Sequence, residues 1–293
     1  MFSETGRLLK TAFEGWWNDR AMSLGASIAF FTVFSLAPML LAAIAVAGLA
    51  FGREAAQGAI VGELGGLIGT NEASTLEGMI ASASNVGSGI VGTTVGIVTF
   101  LLLVTGAVIE LQDNLNIIWK VKPPETSGVI NFFRTRLVSF ALVLGIGFLL
   151  LVSLIIDAGL SAVGAYIEPN FSGATAILRF LNSLVAFVIA TFLFAMIFKL
   201  LPNVNITWGD VWTGSLVTAL LFTLGKFLIG YYLGKSNIAS SYGAAASIIT
   251  ILLWIYYSSL ILLFGAEFTK AYAESRGSQS GTRGGTPEKT SRL

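Results

Sequence analysis

From Ser240 to Ala273 the chain reads Ser240-Ser241-Tyr242-Gly243-Ala244-Ala245-Ala246-Ser247, about twenty apolar residues, and Gly265-Ala266-Glu267-Phe268. No charge falls between Lys235 and Glu267. About twenty such residues in a helix cross a bilayer core. Trp254, Tyr256, Tyr257, Ser258 and Ser259 sit near the middle of this stretch, although Trp and Tyr in spanning helices usually mark the two interfaces. Polar atoms at that depth need partners, so part of this helix is expected to face protein or a wet cavity.

Composition extends the membrane reading to the whole chain. Of 293 residues, 55% are hydrophobic and only 11% charged, with a mean hydropathy of +0.81; soluble domains carry about 25% charge. The predicted fold is all-α: a polytopic bundle of six transmembrane helices at about 25–51, 90–109, 137–160, 180–201, 211–231 and 245–268. There is no cysteine and no histidine. Disulfides, thiolate metal sites and Cys nucleophiles are therefore excluded, and so are the commonest general base and zinc ligand.

Residues 1–24 place Leu9, Phe13, Trp16 and Trp17 on one helical face and Arg7, Lys10 and Glu14 on the other. That pattern predicts an amphipathic helix at the membrane interface, the alternative being a short soluble helix packed on the bundle. Pro38 falls inside the first span and is expected to kink it. The loop 52–89 carries four glutamates against Arg53 and predicts one helix on the membrane surface, then a second near Ala73–Ala83. Residues 274–293 are basic and rich in Gly, Ser and Thr, as in a disordered tail.

Six spans place both ends on one side. The segments then assigned to the cytoplasm hold thirteen basic residues, against three in the outer segments. The positive-inside rule therefore puts both termini in the cytoplasm.

Charges inside a membrane are expensive and mark candidate functional positions. Asp157 and Lys226 fall near the outer ends of the third and fifth spans, where they either pair or leave Lys226 to snorkel to the headgroups. Glu110, Asp113, Lys199 and Glu267 collect near the inner ends of three helices. They form either a polar gate or ordinary ion pairs at the interface, and Glu267, flanked by small and apolar residues, stands out among them. Glu110 and Asp113 share a helix face, which could suit a hard cation, but no third ligand accompanies them. No phosphate-cradling loop is present. No cofactor or metal is expected, and no specific nucleic acid. In the last span, Ser247, Thr250, Trp254, Tyr257, Ser258, Ile261 and Gly265 form one stripe beside Glu267: a path lining or a packed seam. Pro38 and Tyr242 complete the candidate path or gate.

One order of motifs runs along the chain: Asp19-Arg20, then Ala29-Phe30-Phe31-x-x-Phe34-Ser35-Leu36-Ala37-Pro38 and Leu111-Gln112-x-x-Leu115-Asn116-x-x-Trp119. It continues through Leu201-Pro202, Tyr242-Gly243-Ala244-Ala245-Ala246-Ser247, Leu253-Trp254-x-Tyr256-Tyr257-Ser258 and Leu263-Phe264-Gly265-Ala266-Glu267-Phe268. In these motifs the chain resembles the YihY/BrkB family of bacterial inner-membrane proteins, some of which were once labelled ribonuclease BN. The resemblance implies a multi-pass protein of the cell envelope that moves or manages lipids or another envelope component, with membrane lipids and envelope proteins as partners. It carries over no catalytic residues. RNA hydrolysis needs a metal–carboxylate cluster or an acid–base pair in an aqueous site, so no enzyme is expected. The sequence supports a transporter or lipid translocase without its own ATPase, or a non-transporting scaffold that binds partners through loop 52–89.

Overall fold

A computed structural model describes residues 2–84, 105–121, 145, 174–235 and 245–276. Every regular element among them is helical. The first helix, α1, runs Phe2–Asn18. It stops where Arg20 takes a left-handed conformation, φ 57°, and α2 follows from Ala21 to Phe51. Pro38 lies inside α2, and the helix continues three turns beyond it. One backbone bond is forfeited there, while the neighbouring Ser35 donates to Thr32 O at 3.0 Å.

Two short helices, α3 (Arg53–Ile68) and α4 (Thr70–Ser84), fold back as a hairpin. Gly52 and Gly69, at φ 85° and 107°, make the two reversals, a backbone region that only glycine enters freely. Leu76 and Ile80 of α4 pack with Leu40 and Ile44 of α2 and with Ile251. The loop expected to lie on the membrane surface is thus docked on the bundle.

Residues 105–118 form α5, which ends at Lys120, again left-handed at φ 54°. The Val121 amide closes that end on Asn116 O at 3.0 Å. The long helices α6 (Ala174–Leu200), α7 (Trp208–Lys235) and α8 (Ala246–Ser275) complete the described chain. The last two residues of α8 belong to the segment expected to be a disordered tail. Among the described residues, four helices are long and apolar enough to cross a membrane: Ala21–Ala45, Phe180–Leu200, Trp208–Tyr232 and Ala246–Ser275. They match the first, fourth, fifth and sixth expected spans. The third span, apart from residue 145, and most of the second lie outside the described residues.

The molecule is an all-α membrane bundle with α8 at its centre, packed on α1, α2, α4 and α7. Its contact with α7 is a reciprocal seam. A β-carbon on Gly214 would collide with Thr269, and one on Gly265 would collide with Thr218. Each threonine is fully buried and donates to the glycine carbonyl one turn back in its own helix, at 2.7 Å. Small residues let the backbones approach, and the hydroxyls are satisfied locally, as membrane packing requires.

Candidate functional site

Two features stand out near α8. The first is an apolar groove of about 430 Å³, open along one side, between α1, α7 and α8. Phe13 and Trp16 form one wall, Leu221, Leu224, Gly225 and Leu228 a second, and Tyr257, Leu260, Ile261 and Phe264 the third. Gly225 lets α7 and α8 close against each other at the groove: a β-carbon there would lie 2.6 Å from Ile261 and 3.0 Å from Tyr257. Trp16 is fixed by its indole N–H, which donates to Leu260 O at 3.2 Å. Leu9, Phe13 and Trp17 of α1 remain exposed. The amphipathic helix is therefore both packed on the bundle and left with an apolar, aromatic outer face, a combination suited to a headgroup boundary.

The second feature is a charge cluster at the end of the bundle opposite the α3–α4 hairpin. Glu267 is only 2% exposed. It faces α1 at Gly15, where a β-carbon would lie 2.5 Å from its Oε2. Lys270, one turn on, places Nζ 3.7 Å from Oε2. Asp19 follows Gly15 by one helical turn, its amide donating to Gly15 O at 2.8 Å, and its Oδ1 accepts from Lys120 Nζ. The two non-glycine residues with positive φ among the described residues, Arg20 and Lys120, both belong to the turns that aim this cluster.

The other expected site residues are distributed around these features. Glu110 Oε1 accepts from Asn114 Nδ2 at 3.3 Å, and that same amide reaches Ser27 Oγ and Leu24 O on α2. Asp113 is exposed on the outer side of α5. Its carboxyl is held above the ordinary value of 3.8, first because surrounding protein shields it from water although the residue as a whole is exposed, and second by the charge of Glu110. Lys199 donates to Ile206 O at 2.5 Å and lies 5.7 Å from the Trp208 ring centroid, tying off the loop between α6 and α7. Of the four charges expected together, Glu267 finds its cations in Lys270 and, through Asp19, in Lys120 rather than in Lys199.

Lys226 Nζ lies 5.8 Å from the Phe227 ring centroid; Asp157 and Tyr242 fall outside the described residues. In the α8 stripe, Thr250 is buried, and Trp254 meets Phe222 edge-on at 5.9 Å. Ser258 and Ser259 each donate to the carbonyl four residues back, at 2.8 Å. Their hydroxyls are thus satisfied within α8 itself. Tyr257 and Ile261 belong to both the seam and the groove. No group of three His, Cys, Asp or Glu residues suited to a metal occurs among the described residues.

The family model described as Virulence factor BrkB matches residues 12–290. The chain belongs to the BrkB family. Relatives named UPF0761 membrane protein include one from Ralstonia nicotianae, 29% identical over 85% of this chain and 54% of its own length. Another, from Rhodospirillum centenum, is 28% identical over 92% of this chain and 58% of its own length. A third, from Pseudoalteromonas translucida, is 28% identical over 87% and 85%. The shared name is that of a membrane protein and not of an enzyme. The chain spans under two thirds of the length of the first curated relatives it matches. No solved structure matches it.

In this BrkB-family chain the sequence singled out Glu267 but not its partners Asp19, Lys120 and Lys270. Asp19 and Lys120 lie 101 residues apart; Asp19 precedes left-handed Arg20, and Lys120 is itself left-handed, at helix ends where glycine is usual. Polar residues at the ends of apolar helices are common, so nothing in the linear pattern separated these from solvated charges. Asn116 was equally unmarked, yet its Oδ1 accepts from the Asn203 amide at 2.8 Å, while Gln112 donates to Leu201 O at 2.8 Å. Together they brace α5 against the α6–α7 loop.

Proposed function

We propose that this chain handles membrane lipid as a transporter or translocase of the bacterial cytoplasmic membrane, with both termini cytoplasmic and no ATPase of its own. The observation that carries the reading is the groove between α1, α7 and α8. It is lined almost wholly by apolar atoms and opens along its side, where a lipid tail can enter without leaving hydrocarbon. Each methylene sheltered in such a groove contributes about 0.8 kcal/mol only when it would otherwise meet water. The groove therefore gains little from a lipid at rest and most from one whose tails must pass the interface. The distribution of basic residues supports the orientation, which sets α1 and the charge cluster at the cytoplasmic face and the α3–α4 hairpin outside.

The test uses vesicles of phosphatidylethanolamine and phosphatidylglycerol containing the purified chain and a fluorescent phospholipid, with an impermeant quencher outside. The expected result is loss of the protected inner-leaflet signal faster than in empty vesicles. Leu228→Trp, which fills the groove from its open side, should slow that loss. Equal rates with and without protein overturn the reading.

A second reading, an envelope scaffold, draws on the docked hairpin. Glu54 and Glu77 are exposed on it, and Gln57 donates to Glu77 at 3.3 Å, which gives a firm acidic surface for a partner. Crosslinks from residues 53–84 to an envelope protein, in a chain that moves no lipid, would favour it.

A further inference from the structure

We propose that Asp19 and Glu267 form a proton-binding site in which the two carboxyl groups hold one proton between them. The site stands whether or not the chain moves lipid.

The geometry begins with Gly15. The Asp19 amide donates to Gly15 O at 2.8 Å, so Asp19 stands one helical turn after Gly15. A side chain at that position leans back over the preceding turn. Glu267 occupies the same place from α8, against Gly15. Both carboxyls therefore converge on the turn that starts at Gly15. Their side chains are 10% and 3% exposed.

Two lysines take one oxygen each. Lys120 Nζ donates to Asp19 Oδ1, and Lys270 Nζ approaches Glu267 Oε2 at 3.7 Å, an ion-pair distance beyond hydrogen-bond length. The other two oxygens, Asp19 Oδ2 and Glu267 Oε1, are buried and have no donor. Ionised carboxylates accept and never donate. Two acceptor-only groups side by side, away from water, are unfavourable until a donor comes between them. One proton makes one carboxyl a donor to the other and satisfies both orphaned oxygens. The same logic governs other close carboxyl pairs that share a site.

The remaining charges leave this role open to the proton. Lys120, with 60% of its side chain exposed, faces water as well as Asp19. On α1, Lys10 and Glu14 pair with each other at the surface, 3.8 Å apart. Arg20 and Glu274 are exposed. The α2 helix carries no charge at all, and Asp210 at the start of α7 accepts from Thr207. A divalent cation would meet two ammonium groups and only two carboxylates. The smallest cation fits where a metal does not.

The test is an infrared pH titration of the full chain in dodecyl maltoside, a detergent without a carbonyl. The wild type should show a protonated-carboxyl C=O stretch at neutral pH that shifts down in D2O. The band should be lost in Asp19→Asn and in Glu267→Gln, and kept in Asp113→Asn. Each amide can donate to the remaining carboxyl, so both variants should retain helicity and elute as the wild type does. Absence of the band from the wild type overturns the proposal without any variant. Its persistence at full size in either Asp19→Asn or Glu267→Gln overturns it too.

Discussion

Thr218 of α7 rests directly on Gly265 of α8, with no room for a β-carbon between them, and Thr269 rests on Gly214 in the mirrored arrangement. Adding even one methyl to this seam forces the helices apart. Gly265→Ala is expected to lower stability by about 1–3 kcal/mol, the usual range for overpacking. Thr218→Ala in the same chain should recover part of the loss, because the clash is with the threonine side chain. A double-mutant cycle by thermal unfolding in detergent measures the coupling; strictly additive effects would contradict the close contact.

The α3–α4 hairpin is held through a few side chains. Leu76 and Ile80 are almost fully buried against Leu40, Ile44 and Ile251. Truncating Ile80 to Ala should cost about 2–5 kcal/mol by leaving a cavity. The cost should appear locally, as faster proteolysis within residues 53–84 while α7 and α8 stay protected. Unchanged cleavage would mean that the hairpin does not depend on this cluster.

Asp113 gives the chain a pH dependence whose sign follows from its raised carboxyl. Burial, the larger cause, and Glu110 both favour the neutral acid in the folded protein. Its stabilising contribution is therefore fully present below the ordinary carboxylate value of 3.8 and is lost as pH rises through the raised, folded value. Asp113→Asn removes this term. The variant should gain on the wild type in melting temperature as pH climbs through that window, with no difference developing at lower pH. A constant difference across the titration would contradict the assignment.

Trp16 joins α1 to the bundle by one hydrogen bond to a backbone carbonyl. Trp16→Phe keeps a ring in the groove wall and removes the donor. The expected cost is about 0.5–1.5 kcal/mol, read as faster amide hydrogen exchange along α1 than in the wild type. Equal exchange rates would show that apolar contacts alone hold the helix.

The spans now seen as α2, α6, α7 and α8 were legible because long uncharged runs leave a chain few alternatives in a bilayer. The two helices of the hairpin were legible as helices, but their docking was not: Ala, Gly and Ile alternate there without a clear apolar face. Pro38 was expected to kink its helix, and α2 stays helical through it, since one lost backbone bond is small beside a helix of 31 residues. Ser258 looked like a group in need of a partner across the bundle, and its own helix supplies one at Trp254 O. Glu267 was conspicuous as a lone charge among apolar residues. Its neighbours were not, because they come from helix ends far along the chain, brought together only by the folding of α1 and α5 onto α8.

The bond from Trp16 to Leu260 O joins positions 244 residues apart. The ribosome makes α1 long before α8 exists, so α1 leaves the exit tunnel without its docking surface. Through most of synthesis it has only the lipid boundary to shelter Phe13, Trp16 and Trp17. Its docking is thus a late event in assembly, one that reports on the insertion of α8. A chain arrested before α8 emerges would still present the aromatic face of α1 to whatever membrane, chaperone or protease it meets.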